Sequence, residues 1–398
     1  MLKPVTEAAS RDRWTLIRGA RQLLTLHGPT GPRRGPALKE LNIIQDGALL
    51  IRNGRIEQLG PAKRVENLAQ SRHALEIDVH GGIVLPAFAD PDAVLVLPPH
   101  TDTRLKVLSQ RRVEIAATAT AADWVRAGTL SLGAHTGYAV EPRDTLKILR
   151  IHATLQKKPL RIRSILSPLF GSDVLPKDFV ETLLPAIRTK KLATVLELAA
   201  GNVEAMRALA TAAAALGYSI RMRAKGPPDR DMLEFAACAG VISMVAPAGF
   251  TCPAALAELG CVHVIPMTEA LCEDRNQRVH VRQAVGAGTP LALGSGYGTR
   301  GNSAFNPQFL LHLACERLGL SCEEAIVATT WNALCALRMS HVAGSLEPGK
   351  YADIVVMDVP DYRELARRVG DSDATLVMRA GHVVYCRAAL ELTGLKPA

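Results

Sequence analysis

Aromatic side chains and long apolar runs are scarce in this 398-residue chain. It has 3 Trp, 6 Tyr and 7 Phe, together 4% of the residues, which argues against nucleic-acid binding that depends on base stacking. No apolar run reaches the ~18 residues of a membrane span. The charged residues 1–20 lack the apolar core of a signal peptide. These absences predict a cytoplasmic protein that does not bind membranes.

Paired cysteine motifs and charge blocks are also missing. None of the 8 cysteines belongs to a C-x-x-C pair, so we expect reduced thiols rather than zinc ligands or disulfides. The formal net charge is +9, and its arginines are scattered. This excess predicts a solvated surface or, as an alternative, a small anionic ligand. Without a basic stripe that also carries aromatics, a nucleic-acid partner is not expected.

What the chain does contain is the composition and alternation of a large α/β protein. Hydrophobic residues make up 48% and charged residues 21%, as in globular proteins. About eight strand-like runs alternate with helical runs over residues 82–338, which favours a (β/α)₈ TIM-like barrel over a doubly wound open sheet. The flanking parts 1–81 and 339–398 carry β patterns and predict one composite β-sandwich domain built from both chain ends.

Local signals place several elements. Asn53 and Gly54 stand between two apolar runs and predict a β-hairpin. Residues 193–199 read as a strand. Asn202 is positioned to cap the helix that follows, and Gly217 to end it. Ser321 and Glu324 have the spacing of a capping box at the start of a helix that we expect to extend to residue 337.

Four stretches carry a family resemblance over nearly the whole chain. "GGIVLPAFADPDAVLV" (81–96) resembles the first barrel strand of the amidohydrolase superfamily. "GTLSLGAHTGY" (128–138), "FNPQFLLHLACERLGLSCEEAIVATTWNALCAL" (305–337) and "AGSLEPGKYADIVVMDVPDYREL" (343–365) resemble its imidazolonepropionase-like members. The resemblance implies a metal-dependent hydrolase barrel that cleaves C–N bonds of cyclic amides. Its divalent metal would sit at the C-terminal barrel face and activate a water molecule.

The metal-ligand positions implied by this resemblance carry other residues. Where the family has two histidines after the first strand, this chain has Asp92 and Val94. Arg223 stands at the position of the histidine after the fifth strand, and Gly296 at that of the aspartate after the eighth. Valine and glycine offer no side-chain ligand, and arginine stays cationic. We therefore predict that the chain holds no metal, although an active member would need one.

No catalytic residue can be assigned from these motifs. Residues that could contact a ligand at the barrel mouth are Asp90, His135, Tyr138, Arg223, Lys225 and Arg300. Asp90 also fits a structural carboxylate, and His135 a structural imidazole. His263 could point into the barrel or away from it. Arg223 and Lys225 fit either neutral drift or an anion site, because a guanidinium can clamp a carboxylate or phosphate.

Three functions remain open at this point. The first is a non-catalytic binding or assembly subunit that forms a homodimer or pairs with an active relative. The second is an active hydrolase of cyclic amides that works without the usual ligands. The third is a small-anion binder at the barrel mouth that uses Arg223, Lys225 and Arg300.

Overall fold

The computed structural model describes residues 12–96, 108–137, 141–167, 177–199, 201–224, 228–248, 253–267, 276–299, 304–370 and 372–387. Two eight-stranded sheets organise these residues, one mixed and one parallel.

The mixed sheet joins the two ends of the chain, as the sequence predicts. Its strands run in the order β16-β15-β14-β5-β1-β2-β3, with β4 paired to β1. The strands are β1 Trp14–Leu24, β2 Ile43–Arg52, β3 Arg55–Pro61, β4 Leu75–Asp78, β5 Ile83–Pro86, β14 Ile354–Met357, β15 Ala374–Arg379 and β16 His382–Cys386. Side chains from both ends of this order share one buried core, so the sheet curls upon itself.

The hairpin between β2 and β3 turns at the two residues that the sequence singles out. Asn53 and Gly54 have φ angles of 49° and 82°, and positive values at both positions are what a two-residue hairpin turn requires. A Cβ on Gly54 would lie 2.3 Å from the carbonyl oxygen of Ala380. The glycine is therefore needed both for its backbone angle and for this close approach.

The parallel sheet is a (β/α)₈ barrel, as predicted. Its strands follow one another in chain order: β6 Phe88–Ala93, β7 Thr129–His135, β8 Arg161–Leu166, β9 Val195–Ala199, β10 Ser219–Arg223, β11 Ser243–Val245, β12 Val262–Pro266 and β13 Leu291–Gly294. Hydrogen bonds beyond β13 close the barrel: Gly296 N donates to Asp92 O at 2.9 Å, and Val94 N to Tyr297 O at 2.7 Å.

The α-helices among the described residues are each five or more residues long. They are α1 Ala62–Glu66, α2 Gln110–Arg126, α3 Pro142–Leu155, α4 Leu184–Thr189, α5 Val203–Ala215, α6 Arg230–Cys238, α7 Pro253–Leu259, α8 Gln277–Gly286, α9 Pro307–Glu316, α10 Cys322–Thr329 and α11 Trp331–Ala336. The Asn202 cap of α5 and the Ser321–Glu324 capping box of α10 are both present. The left-handed Gly217 follows α5, as predicted.

Two sequence expectations differ from the structure. The run 83–91, read as one barrel strand, is split: β5 pairs with β1 and β14 in the mixed sheet, and the barrel begins with β6. The helix expected to extend to residue 337 breaks at Thr330, whose φ and ψ are −126° and −90°. The break turns α11 beneath the barrel, where Leu334 and Leu337 pack against interior side chains such as Val264.

The cysteines in the described part of the chain are free thiols, as expected, but they are not uniformly buried. Cys261 is buried, Cys238 is exposed, and Cys315, Cys322, Cys335 and Cys386 lie between these extremes. Among the described helices, none has both the length and the apolarity that crossing a bilayer requires.

Candidate functional site

The C-terminal half of the barrel interior is filled with charged and polar side chains. Asp92 is the next-to-last residue of β6, and His135 is the last residue of β7. Glu197 lies in β9, and Arg221 and Arg223 lie two residues apart in β10. Because side chains alternate along a strand, Arg221 and Arg223 share one face, and that face points at Asp92 and Glu197. An apolar layer that includes Val195, Val262 and Ala292 lies beneath them.

Each nitrogen of the Arg221 guanidinium lies close to an oxygen atom of the protein. Its Nη2 lies 2.5 Å from Asp92 Oδ1, its Nε lies 2.7 Å from Glu197 Oε2, and its Nη1 donates to the carbonyl of Pro91 at 2.5 Å. The side chains of Arg221, Asp92 and Glu197 are all 0% exposed. The guanidinium therefore lies wholly inside the barrel between two carboxylates.

Arg223 binds the same two carboxylates one layer nearer the mouth. Its Nη1 donates to Asp92 Oδ2 at 3.3 Å and its Nη2 to Asp92 Oδ1. Its Nε and Nη2 donate to Glu197 at 3.1 and 3.2 Å. Only 16% of the Arg223 side chain is exposed. Two guanidinium groups and two carboxylates of the described residues thus form what we call the arginine–carboxylate network, and their formal charges cancel.

The charge states of this network follow from its contacts. Burial disfavours ionised carboxylates, but the guanidinium groups of Arg223 and Arg221 outweigh it and lower the pKa of Asp92 and Glu197. Ser167 adds a hydrogen bond from its Oγ to Glu197 Oε1 at 3.2 Å. Both carboxylates are therefore ionised at neutral pH, and each faces two cations.

His135 borders the network as a neutral imidazole. Burial lowers its pKa to about 4, although the nearby Asp92 acts in the opposite direction. Its Nδ1 accepts from the backbone N–H of Gly137 at 3.3 Å, which leaves the proton on Nε2, and Nε2 lies 3.8 Å from Asp92 Oδ1. The neutral imidazole therefore faces Asp92.

The other predicted site positions that the structure describes are Asp90, Val94 and Gly296. Asp90 Oδ1 accepts from the backbone N–H groups of Asp92 and Ser295, each at 3.0 Å, and burial raises the pKa of Asp90 to about 6. Val94 is buried in the apolar core. Gly296 offers only its backbone. Tyr138, Lys225 and Arg300 lie outside the described residues.

Two members of the network were missed by sequence reasoning, Glu197 and Arg221. Each stands in a run that is otherwise typical of a buried strand, "TVLELA" and "SIRMRA". A charged residue within such a run is unusual unless it is paired. The sequence did contain a signal for this pairing, because the acidic Glu197 and the basic Arg221 and Arg223 fall on neighbouring predicted strands.

The network leaves few groups available as metal ligands. Within the described ranges, no set of three or more His, Cys, Asp or Glu is arranged so that it could hold a metal ion. His263, which the sequence left open, lies apart from the network: its Nε2 is 3.0 Å from the carbonyl of Ala246. Imidazole and carboxylate groups are the usual ligands of catalytic zinc.

Buried histidines predict a stability that falls in acid. Burial lowers the pKa of His135 and His263 to about 4 and that of His152 to about 3, from 6.5. Between about pH 4 and 6.5 the unfolded chain binds protons that the folded chain does not, so the free energy of unfolding rises with pH. The raised pKa of Asp90 acts in the opposite direction below about pH 6, but Asp90 is one group and the histidines are three. Urea unfolding across this range measures the slope.

The variant His152→Leu isolates one of these histidines. Neither ring nitrogen of His152 has a hydrogen-bond partner among the described residues. We expect the free energy of unfolding of the variant to rise less steeply with pH. The difference should be about 1.4 kcal/mol per pH unit between the folded and unfolded pKa values of His152. The exposed residue His341 supplies the control His341→Leu, which should leave the slope unchanged. An unaltered slope in His152→Leu would contradict the prediction.

Comparisons with known proteins agree with the fold and the motifs. The model of the amidohydrolase family matches residues 232–384. An imidazolonepropionase from Solibacter usitatus is 31% identical over 429 aligned positions, which cover 93% of this chain and 98% of the relative. One from Symbiobacterium thermophilum is 29% identical, and the match covers 93% of this chain and 96% of the relative.

Solved structures with the same architecture span nearly the whole chain. Ochratoxinase of A. niger matches with a TM-score of 0.70 at 15% identity, covering 95% of this chain and 97% of that one. N-isopropylammelide isopropylaminohydrolase of Burkholderia multivorans matches with a TM-score of 0.71 at 18% identity, covering 95% and 100%. At such identities these structures support the fold alone. The full-length sequence relationship goes further, and the chain belongs to the amidohydrolase superfamily as an imidazolonepropionase-like protein.

Proposed function

We propose that this chain retains the amidohydrolase fold without its metal centre and acts as a non-catalytic binding or assembly subunit. The observation that carries the proposal is the arginine–carboxylate network. It fills the barrel interior at the end where the family resemblance implies a metal site. Arg221 and Arg223 supply two fixed positive charges there, and Asp92 and Glu197 neutralise them.

The chemistry of these residues does not fit a resident divalent ion. A guanidinium has no lone pair to donate to a metal, and it stays charged at any working pH. A divalent ion between Asp92 and Glu197 would have to displace two buried guanidinium groups and leave them unpaired, which is costly in a protein interior. Val94 and Gly296, at two of the implied ligand positions, offer no side-chain donor.

The alternative is a hydrolase of carbon–nitrogen bonds in cyclic amides. The match to imidazolonepropionases along 93% of the chain supports this reading. Such an activity would need to activate water without the histidines that the family resemblance implies. Among the described residues, His135 is an imidazole that faces the network, and it is buried.

Turnover and metal content distinguish the two functions. The purified protein is assayed with imidazolonepropionate beside the Solibacter usitatus relative, with and without a chelator, and its zinc, iron and manganese are quantified. We expect no turnover above the uncatalysed rate and metal far below one ion per chain. Chelator-sensitive turnover, or one tightly held ion per chain, would establish the hydrolase reading and overturn the proposal.

The small-anion hypothesis has weaker support. Nε, Nη1 and Nη2 of Arg223 all contact Asp92 or Glu197, so an incoming carboxylate would compete with two built-in ones. Lys225 and Arg300 lie outside the described residues.

The assembly reading predicts a homodimer or a complex with an active relative. Light scattering of the protein alone, and of the protein mixed with that relative, measures both.

A further inference from the structure

Basic side chains gather at the N-terminal ends of the adjacent barrel strands β8 and β9, beside the start of β10. Segments 156–163, 188–194, 216–219, 338–346 and 379–382 adjoin there and contain no Asp or Glu. Together they define what we call the basic face. Its cationic residues are Lys157, Lys158, Arg161, Arg163, Arg188, Lys190, Lys191, Arg338 and Arg379.

Hydrogen bonds tie these segments into one surface. Arg379 Nη1 donates to the carbonyl of Lys158, which joins the mixed sheet to the start of β8. Arg163 donates to Thr194 Oγ1 at 3.1 Å and to the carbonyl of Arg338 at 3.5 Å. Arg188 Nε donates to the carbonyl of Leu216 at 2.9 Å, just before β10. The arginine stems are therefore held in place.

Most of this positive charge lacks an acidic partner. Among the ion pairs of the described residues, only that between Arg161 and the buried Asp353 involves the basic face. Lys157, Lys158 and Lys190 are exposed. Burial, assisted by the charge of Arg379, lowers the pKa of Arg161 to about 10, which still leaves it protonated. Apart from Arg161, the cationic side chains of the basic face thus form no ion pair with the described residues.

The composition of the face favours one kind of partner. Protein interfaces generally have an apolar or aromatic centre, but the large hydrophobic residues found exposed, Ile115, Val279 and Val369, lie outside these segments. Guanidinium groups fixed by hydrogen bonds suit a ligand with regularly spaced anions better than a fluid layer of lipid headgroups.

We propose that the basic face binds the phosphate backbone of a nucleic acid. Such binding is electrostatic and independent of base sequence, so it does not require the aromatic stacking that the composition argues against. The face lies at the opposite end of the barrel from the arginine–carboxylate network. The inference therefore stands whether or not the chain is a hydrolase.

Fluorescence anisotropy with labelled RNA and DNA oligonucleotides, single-stranded and duplex, tests the proposal. The full-length chain is titrated over a salt series beside Lys157→Glu/Lys158→Glu, and the control Arg111→Glu/Arg112→Glu makes the same charge change on the exposed start of α2. We expect the first variant to bind about tenfold more weakly and to lose roughly two units of the salt slope. The control should bind as the unmodified chain does.

Three outcomes would overturn the proposal. They are absence of binding at about 50 mM salt, where phosphate contacts are strong, equal weakening in both variants, and binding to phosphatidylserine vesicles but not to nucleic acid. The last outcome would identify a membrane as the anionic partner. Circular dichroism of both variants separates loss of binding from loss of folding, and Lys190→Glu provides a second probe of the same face.

Discussion

Replacing Arg221 by methionine should lower the free energy of unfolding by about 3–5 kcal/mol, among the largest effects expected of any single substitution in this chain. Methionine approximates the length of the side chain but carries no charge. Asp92 and Glu197 would remain buried with one guanidinium group fewer to neutralise them, and Pro91 O would lose the Arg221 donor. Urea unfolding at neutral pH measures the loss.

Two further variants show whether the loss comes from the network. Arg230→Met removes an exposed arginine paired with Glu234 on α6, and exposed pairs contribute less than about 1 kcal/mol. Arg221→Met/Glu197→Gln removes one charge of each sign, so it should be more stable than Arg221→Met alone. If Arg221→Met unfolds like the unmodified chain, or if Glu197→Gln gives no rescue, the network does not stabilise the fold as described.

The second large effect is a gain of metal binding when both guanidinium groups are removed. The variant Arg221→Met/Arg223→His removes both guanidinium groups from Asp92 and Glu197 and adds an imidazole on β10, in a barrel that already holds His135 beside Asp92. Carboxylate and imidazole groups are good ligands for Zn²⁺ and Co²⁺. We expect about one ion per chain and a raised melting temperature when the metal is added.

Cobalt binding can be measured without an activity assay, because the visible spectrum of Co²⁺ reports its ligand geometry. The unmodified chain should show no such spectrum. Adding Asp92→Asn to the double variant should weaken binding strongly, since it removes a charged ligand. A folded double variant that binds no cobalt would mean that these groups cannot converge on one ion, whereas binding by the unmodified chain would refute the proposed function itself.

Local signals in the sequence were sufficient for much of the architecture. The Asn53-Gly54 turn, the Asn202 cap and the Ser321–Glu324 capping box each depend on residues close together in the chain, and all three are present. The barrel followed from the repeated alternation of strands and helices. The split of residues 83–91 was missed because both halves are apolar and extended, and only pairing with β1 and β14 distinguishes them.

The site was harder to predict because it depends on contacts between distant strands. Motif comparison indicated which ligand positions are replaced, but not that Arg221 and Arg223 would bind the same two carboxylates, Asp92 and Glu197. The basic face was hidden for a related reason. Residues 157–163 are visibly basic in the sequence, but the other segments come from as far as residue 382, and only the fold brings them together.

Closure of the barrel ties its beginning to its end. The first barrel strand meets the last through Gly296 and Tyr297, and β5 finds one of its partners in β14, whose residues begin at Ile354. During synthesis on a ribosome, the barrel therefore keeps an open edge until Tyr297 has emerged, and β5 lacks its β14 partner until Met357 has emerged. Unpaired edges invite association with other chains, so the nascent protein depends on rapid completion or on chaperones to reach its closed form.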